Sequence, residues 1–283
     1  MIANAESDIN EQQFRRLCDL VYQHCGINLH DGKQELVRAR VARQLRTKDY
    51  ASAAEYLDDV MANPGGEEFA SLIDALSTNL TSFFRESSHF KYLTDTLLPK
   101  AMDRQRRKGG CRIRGWSAAC STGEEPYTLA MTLHNALQGR GQWDARILAT
   151  DISRNVLKTA VLGRYEASRV SSIPIDFRNK YFTQCEGLSS AQHSVMQVAS
   201  ELRSMVTFNY LNLMDPWPFT GPFDFIFCRN VMIYFDKKTQ EKLVSRFWNC
   251  LESGGVLFTG HSESLTGISH KFQYVQPTIY MKA

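Results

Sequence analysis

Apolar residues recur at three- and four-residue spacing from residue 9 to about residue 80, which is the period of amphipathic helices. The stripes are separated by turn-forming positions such as Gly26 and the run Asn63–Gly66. The apolar positions are Phe14, Leu17, Val21 and Cys25; Leu36, Val37, Val41 and Leu45; Ala53, Leu57, Val60 and Met61; and Phe69, Leu72, Ile73 and Leu76. No strand pattern interrupts them, so we predict an N-terminal bundle of four helices.

From Arg112 onward the pattern changes to short apolar runs that alternate with helical periods. A short strand is predicted at Arg112–Arg114, followed by a tight turn of small residues from Gly115 and a helix entered at Pro126. Further strands are predicted at Arg146–Thr150, Val206–Tyr210, Phe223–Cys228 and Val256–Gly260, with a terminal pair ending at Met281, and helices at Ser153–Val161 and around Leu243–Leu251, the latter stopped by Gly254 and Gly255. This alternation predicts a doubly wound α/β fold.

The chain therefore divides into three predicted parts. Residues 1–80 form a helical domain, residues 81–110 a joining segment, and residues 111–283 the α/β domain. A polar, turn-rich stretch at about 163–204 interrupts the strand–helix alternation and contains a short alternating run at Ser194–Ala199.

Composition narrows the functional classes. The 283 residues are 43% hydrophobic and 22% charged, which is ordinary for a globular protein. No apolar run approaches the ~20 residues that cross a bilayer, and the first residues lack the order of a signal peptide. Seven scattered cysteines without a C-x-x-C pair favour free thiols over a metal site. A net charge of +3 does not imply nucleic acid. We expect a cytoplasmic protein without direct membrane insertion.

Two acidic positions in the α/β domain are candidates for ligand binding. Glu124 and Glu125 begin a predicted helix, where they would repel a phosphate but suit a ligand with hydroxyls or a positive charge, such as S-adenosylmethionine. Asp151 ends the second strand, and ligands of open α/β sheets bind outside the carboxyl ends of strands, so it is placed to accept hydrogen bonds from a ribose. The alternatives are an ordinary turn and a helix cap at Asp151 or Ser153.

The joining segment also carries unusual chemistry. Ser77–Arg85 combines hydroxyls, an amide and paired aromatic residues, which favours a ligand wall over a plain linker, although these residues also cap helices. Polar residues thus converge on the strand ends: Glu125, Asp151, Asn212, Arg229 and Asn230, joined by Asn79, Thr81 and Arg85 from the bundle side.

Three long motifs make this convergence specific. Asn79–Arg85 (NLTSFFR), Ser121–Tyr127 (STGEEPY) and Phe227–Phe235 (FCRNVMIYF) resemble the motifs of the bacterial chemotaxis receptor methyltransferases, the CheR family. Gly260–Ser264 (GHSES) matches as well. Their order and spacing fit, so the resemblance covers nearly the whole chain.

The resemblance implies a Rossmann-like methyltransferase fold with a small inserted antiparallel β-subdomain at about 163–204. It implies transfer of a methyl group from S-adenosylmethionine to glutamates in the cytoplasmic helical region of chemoreceptors, with S-adenosylhomocysteine as the product and no metal. The family's cofactor positions correspond here to Asn79, Thr81, Arg85, Glu125, Asp151, Asn212, Leu213, Arg229 and Asn230. Arg85 and Tyr234 correspond to the residues nearest the transferred methyl.

The side chains at these positions suit methyl transfer to a glutamate carboxylate. A glutamate carboxylate is ionised at neutral pH, so its methylation needs positioning and desolvation and no general base. An arginine and a phenol are suitable because both donate hydrogen bonds and neither removes protons near pH 7. His261, although it lies beside Ser262 and Glu263, fits no nucleophile elbow and is interpreted as structural.

The second helix is basic throughout, with no acid between Leu36 and Lys48. It is either a solvated face or a docking surface for an acidic partner, and we assign Arg38, Arg40, Arg43 and Arg46 to docking on Glu-rich receptor helices. Some family members also grip a receptor's C-terminal pentapeptide through arginines of the inserted subdomain. Because Tyr181–Glu201 contains no Lys or Arg and its loop at Gly187 is long, we expect no such tether here.

Three alternatives remain open at this stage. The first is a methyltransferase for another protein carboxylate or a small molecule, and the second is a non-catalytic homologue that docks on receptors. The third, a nicotinamide oxidoreductase, is disfavoured because the first turn lacks G-x-G-x-x-G.

Overall fold

The computed structural model describes residues 9–29, 34–48, 50–185 and 194–283. Within these ranges, no helix combines the length and the apolar character needed to cross a membrane. The four predicted N-terminal helices are confirmed as α1 (Glu11–Cys25), α2 (Gln34–Leu45), α3 (Ala53–Ala62) and α4 (Glu67–Leu76). Their apolar stripes meet in one core that contains Leu17, Val41, Leu57 and Leu72.

The ends of α1 follow from its sequence. The side chain of Asn10 accepts a hydrogen bond from the backbone N–H of Gln13, and the Gln13 side chain accepts one from Asn10, which forms a capping box. At the other end Gly26 adopts φ 71°, the left-handed conformation that terminates helices. The chain then passes directly into the wall of the cavity described below.

A long helix with a π-helical turn joins the bundle to the α/β domain. It consists of α5 (Ser88–Tyr92), the π turn (Leu93–Leu97) and α6 (Leu98–Arg107). The remaining helices are α7 (Glu124–Leu137), α8 (Arg154–Leu162), α9 (Ala167–Val170), α10 (Ile175–Tyr181), α11 (Ser200–Met205) and α12 (Lys237–Cys250). The strands are β1 (Arg112–Ala118), β2 (Asp144–Asp151), β3 (Arg164–Glu166), β4 (Phe182–Gln184), β5 (Val195–Val198), β6 (Val206–Tyr210), β7 (Phe223–Cys228), β8 (Leu251–Thr259), β9 (Gln273–Gln276) and β10 (Ile279–Met281).

Seven strands form a mixed central sheet in the order β6-β2-β1-β7-β8-β10-β9. The first five of these strands are parallel to their neighbours, and β10 is antiparallel to both β8 and β9. In β1, Trp116 pairs with Leu148 on one side and Ile226 on the other. The chain runs outward in both directions from β1, so the crevice at its carboxyl end is where such sheets bind ligands. The predicted doubly wound α/β class is confirmed.

The two faces of the sheet bury separate cores, as the two-residue period of a strand requires. Phe225 and Phe227 of β7 point into a core shared with α6 and α7. The intervening Ile226 and Cys228 point into a core shared with α12, in which Trp116 is fully buried. Helices therefore cover both faces, and every residue of β7 is buried.

The stretch at about 163–204, which interrupts the strand–helix alternation, contains a second, small sheet. It has the order β3-β5-β4 with antiparallel pairing throughout, as the resemblance implies. Its two edges are β4 and β3, and on the β3 edge the guanidinium of Arg164 donates to Gln197 at 2.8 Å. The predicted loop at Gly187 lies outside the described residues.

Two local predictions are wrong. The first strand does not end at Arg114 but runs through Gly115 to Ala118, because a Cβ at Gly115 would lie 2.2 Å from the ring of Phe225 and the glycine serves close strand packing. The tight turn comes later, with positive φ at Ala119, Ser121 and Gly123.

The second error concerns the helix around Leu243–Leu251. It ends at Cys250, and Gly254 and Gly255 lie inside β8 rather than at the helix end. Gly254 has φ 75°, and a Cβ at Gly255 would lie 2.8 Å from the carbonyl oxygen of Glu252. The glycines therefore permit an irregular strand where the register of β7 and β8 shifts.

Candidate active site

A cavity opens at the carboxyl ends of β1, β2, β6 and β7, bounded by the end of α1 and the segment after α4. It brings together every residue assigned above to cofactor binding or catalysis. These are Asn79, Thr81, Arg85, Glu125, Asp151, Asn212, Leu213, Arg229, Asn230 and Tyr234. The four arginines assigned to docking do not line it, although Leu36 of the same helix does.

Backbone conformation is unusual around this cavity. Of the six non-glycine residues with positive φ in the described chain, five lie on its walls or directly behind them: Phe84, Glu86, Ala119, Ser121 and Asn230. Such conformations cost free energy and persist only where surrounding contacts fix them, and they cluster at functional sites. The walls are therefore held in shape by the contacts described next.

The paired carboxylates Glu124 and Glu125 have different positions. Glu125 lines the cavity, where it accepts hydrogen bonds from Ser117 Oγ at 2.6 Å and Arg229 Nη1 at 3.0 Å. Burial raises its pKa, and the nearby Arg229 charge opposes that shift. Glu124 is fully buried away from the cavity and pairs with Arg169. Only Glu125 is placed to meet a ligand.

Asp151 ends β2 at the cavity wall. Its two oxygens accept backbone N–H bonds from Ser121 at 2.8 Å and Ser153 at 2.9 Å. The cap of α8 is Ser153, whose hydroxyl accepts from Val156 at 3.2 Å. Burial raises the pKa of Asp151 to about 6. Each carboxylate oxygen keeps acceptor capacity beyond its one backbone bond, so the group can receive hydroxyl donors from a ligand.

The segment from Ser77 to Arg85 forms one wall and is fixed from several sides. Ser121 Oγ donates to the carbonyl oxygen of Asn79 at 3.0 Å, and Arg85 donates to that of Leu80 at 2.8 Å. Arg40 of α2 donates to the carbonyl oxygen of Ser77 at 2.9 Å. The predicted ligand wall thus lies at the cavity, and its conformation depends on side chains of both the bundle and the sheet.

Arg229, at the end of β7, is a buried ion-pair centre. Its guanidinium contacts Glu125 and Glu86, each at 3.0 Å, and also donates to the carbonyl oxygen of Arg85. It therefore joins three segments that are distant in sequence. Sequence reasoning missed Glu86, because the residue after the NLTSFFR motif carries no pattern of its own.

Glu263 is the second residue that sequence reasoning missed. Its buried carboxylate accepts from the backbone N–H groups of Gly260, Asn230 and Ile233 at 2.6, 2.8 and 3.2 Å. It thus fixes the turn that presents Asn230 and Tyr234, which closes on a 3₁₀ turn at Met232–Tyr234. Glu263 belongs to the GHSES motif. Sequence reasoning singles out His261 of that motif, whose side chain is exposed.

Asn212 and Leu213 follow β6. The amide of Asn212 donates to the carbonyl oxygen of His24 at 2.5 Å and to Asp215 at 3.1 Å, and its oxygen accepts from Met214 at 3.0 Å. The Asn212 side chain therefore ties the bundle to the sheet beside the cavity.

The four arginines assigned to docking differ in their solvent exposure. Arg43 and Arg46 are exposed, and Arg38 and Arg40 are half-buried. Arg40 lies against the end of α4, where it contacts the carbonyl oxygens of Ala75 and Ser77. Arg40 therefore supports the cavity wall, and Arg43 and Arg46 are the members of the set open to a partner.

Glu86, His89 and His261 form a cluster behind Arg229. Their potential metal-ligating atoms lie within 4.8 Å of one another, which is the one such group found in the described chain. However, the Glu86 oxygen that faces both histidines also contacts the Arg229 guanidinium at 3.0 Å. A metal ion there would have to compete with this cation for the same oxygen.

Comparisons with known proteins agree across the chain. The family described as "CheR methyltransferase, SAM binding domain" matches residues 79–281, and "CheR methyltransferase, all-alpha domain" matches residues 12–77. The chemotaxis protein methyltransferases of Borreliella burgdorferi and Salmonella typhimurium are each 40% identical to this chain, covering 99% and 96% of it and 97% and 90% of those proteins. That of Escherichia coli is 38% identical, covering 96% and 91%. The chain belongs to the CheR family of methyltransferases.

Proposed function

We propose that this protein methylates glutamate side chains of chemotaxis receptors with S-adenosylmethionine, giving glutamate methyl esters and S-adenosylhomocysteine. The main support is that one cavity, at the switch point of the sheet, gathers all ten residues predicted for cofactor binding and methyl transfer. The relatives at 38–40% identity are named chemotaxis protein methyltransferases, which supports a chemoreceptor as the substrate.

The cavity suits S-adenosylmethionine in its donor and acceptor groups. Asp151 offers carboxylate oxygens for ribose hydroxyls, and Glu125 offers a partly buried carboxylate for a positively charged group. Asn79, Thr81, Asn212, Leu213 and Asn230 supply further polar and apolar contacts from three other segments. When bound, the cofactor supplies a methyl group on a positively charged sulfur.

The protein's part in the reaction is to position and desolvate the acceptor. A glutamate carboxylate is ionised near pH 7, so no residue has to remove a proton. Arg85 of the NLTSFFR motif and Tyr234 of the FCRNVMIYF motif both line the cavity. We assign them to hydrogen-bond the acceptor oxygens in line with the methyl group. When S-adenosylmethionine is bound, its methyl group would pass to an acceptor oxygen held by Arg85 and Tyr234, and the electron pair of the carbon–sulfur bond would leave with sulfur.

Charge and location favour a helical, acidic partner. Arg43 on α2 and Arg46 just after its end are exposed, and Leu36 of α2 lines the cavity, so a Glu-rich helix lying along α2 would bring a glutamate to the cavity mouth. We further propose that the protein acts in the cytoplasm and needs no receptor pentapeptide tether. Removal of the receptor's last five residues should then leave its methylation rate unchanged within twofold.

The test is transfer of tritiated methyl from S-adenosylmethionine to receptor-containing membranes. We expect label on the receptor that mild alkali releases as methanol, the behaviour of a carboxyl methyl ester. A receptor with its methyl-accepting glutamates changed to alanine is the matched control and should stay unlabelled. Label stable to alkali would contradict the glutamate assignment, and absence of label despite measurable cofactor binding would contradict the enzymatic function.

A further inference from the structure

Glu86 lies just behind the cavity wall and does not line the cavity itself. Its side chain is only 8% exposed, and its carboxylate contacts the guanidinium of Arg229 at 3.0 Å. The backbone N–H of His261 donates to its other oxygen at 3.2 Å. Burial acts to raise the pKa of Glu86, but the Arg229 charge together with hydrogen bonds from Arg229 and the His261 backbone outweighs burial, so the pKa lies below its ordinary value. Glu86 is therefore an anion that reaches the site only through Arg229.

The charge of Glu86 makes the net charge of the site negative. The charged residues that line the cavity are two cations, Arg85 and Arg229, and two anions, Glu125 and Asp151, which balance. Glu86 adds one negative charge directly behind Arg229, so the group as a whole carries an excess of one anion. In a buried site that excess is only weakly screened by solvent.

The neighbouring His89 does not cancel this charge. His89 Nε2 lies at hydrogen-bond distance, 2.7 Å, from the hydroxyl oxygen of Thr278. The other ring nitrogen, Nδ1, faces Glu86 at 3.6 Å and makes no hydrogen bond. Burial, with Arg229, lowers the pKa of His89 to about 4, so the ring is neutral.

We propose that Glu86 is a positioning residue that holds Arg229 against Glu125 and supplies the excess negative charge that favours the sulfonium cofactor over its neutral-sulfur product. S-adenosylmethionine carries one more positive charge than S-adenosylhomocysteine, so one anion at the site favours the former without touching either. The inference rests on the proposed function, because it concerns discrimination between that reaction's cofactor and product.

The test compares dissociation constants of S-adenosylmethionine and S-adenosylhomocysteine at pH 8 by calorimetry for the wild type and Glu86→Gln. Glutamine keeps the size of Glu86 and one of its acceptor oxygens and removes its charge. We expect the ratio of the two constants to shift on the order of tenfold in favour of the product, as for one charge several ångströms away in a partly buried site. The inhibition constant of the product relative to the cofactor KM should shift by the same factor.

Two variants separate this effect from a general structural role. Glu86→Asp keeps the charge and should keep the wild-type ratio within threefold, whatever the absolute affinities. Glu252→Gln, which removes a carboxylate from an ion pair with Lys108 at the start of β8, should also leave the ratio unchanged.

Equal weakening of both ligands in Glu86→Gln would overturn the inference, because loss of packing does not distinguish sulfonium from thioether. A tenfold shift in Glu86→Asp would overturn it too, and this measurement decides the matter if Glu86→Gln does not fold. Failure of the wild type to transfer methyl groups, with a charge-dependent ratio intact, would refute the proposed function and leave the discrimination by Glu86 standing.

Discussion

Asp151 is buried and Glu125 is partly buried at the cavity, and their carboxylates have different partners. Glu125 shares Arg229 and Ser117, and the Arg229 charge opposes the rise in pKa that burial causes. Asp151 is held by two backbone N–H groups without a cation among these partners, and burial raises its pKa from 3.8 to about 6. The charge of Asp151 therefore changes near pH 6.

Cofactor affinity should consequently depend on pH through Asp151. The ionised form accepts ligand hydroxyls, and the fraction ionised falls as the pH drops through about 6. We expect the dissociation constant of S-adenosylhomocysteine to be constant from pH 7 to 8 and to rise about tenfold by pH 5, one unit below that pKa. An aspartate at its ordinary value of 3.8 would show almost no change over this range. Calorimetric titration across pH 5 to 8 measures this directly.

The matched control is Asp151→Asn, which does not titrate. Its affinity should be weaker at pH 8 because the amide nitrogen cannot accept a hydroxyl proton. It should also be flat between pH 5 and 7. A steep decrease of affinity in this variant, equal to that of the wild type, would assign the pH dependence to another group.

Tyr234 has a separate, kinetic prediction. Tyr234→Phe removes the phenol hydroxyl that we assign to the acceptor carboxylate and keeps the ring at the cavity wall. We expect kcat to fall by about 100- to 1,000-fold, the effect of losing one positioned hydrogen-bond donor, with cofactor affinity changed less than threefold. The control is Tyr274→Phe on the exposed strand β9, which should match the wild type. Unchanged kcat in Tyr234→Phe would remove Tyr234 from the chemistry.

At the scale of elements, the sequence predicts those whose pattern is local. Phe223–Cys228 is apolar except for Asp224, and it is the fully buried β7 with the predicted bounds. The end of β1 is different, because Gly115 resembles a turn residue until the ring of Phe225 on the neighbouring strand is known. The prediction at Gly254 and Gly255 is wrong for the same reason, because these residues permit an irregular strand and do not end the helix.

The residues of the site also divide into those that a local sequence pattern reveals and those that it does not. Arg229 and Asn230 end a recognisable strand, so sequence reasoning finds them along with the residues of the NLTSFFR motif. Glu86 and Glu263 act through contacts with segments 143 and 33 residues away, which no local pattern encodes. Sequence therefore identifies the residues that line the cavity, and the structure is needed to identify those that hold them.

Helix α2 and the turn that follows it carry the docking prediction, now restricted to the exposed Arg43 and Arg46. Reversing the charge of Arg43 and Arg46 together should raise the receptor KM about tenfold through lost attraction to an acidic helix. Cofactor affinity should stay within twofold, because neither residue lines the cavity. Steady-state methylation at varied receptor concentration, at low and high salt, measures both parameters, and the defect should diminish at high salt.

Two further variants make this result interpretable. Lys100→Glu with Arg107→Glu introduces the same charge change on exposed positions of α6 and should not alter the receptor KM. Arg40→Glu is expected to weaken cofactor binding as well, since Arg40 supports the carbonyl oxygen of Ser77 in the cavity wall. Equal KM increases from the α2 and α6 pairs would show a general effect of net charge and contradict docking on α2.

At the scale of the whole molecule, the bundle has its own core, separate from the two cores of the sheet. Polar contacts join the units near the cavity. Tyr22 donates to Asp236 at 2.5 Å, and the backbone N–H of Asn28 donates to the carbonyl oxygen of Tyr234 at 2.8 Å. Cys25, Ile27 and Leu29 of the bundle line the cavity itself. A ligand in the cavity thus contacts both units and should couple their stabilities.

Ligand binding should therefore protect the bundle as well as the sheet. At 100 times its dissociation constant, S-adenosylhomocysteine stabilises the binding-competent fold by about 2.7 kcal/mol, or a factor of about 100 in exchange through unfolding. We expect hydrogen exchange followed by mass spectrometry to show slowed exchange in α1 and α4 together with β1 and β2. Asp151→Asn at the same ligand concentration should show smaller protection in both units. Protection confined to residues 111–283 would mean that the bundle opens independently and contributes no stable wall to the bound state.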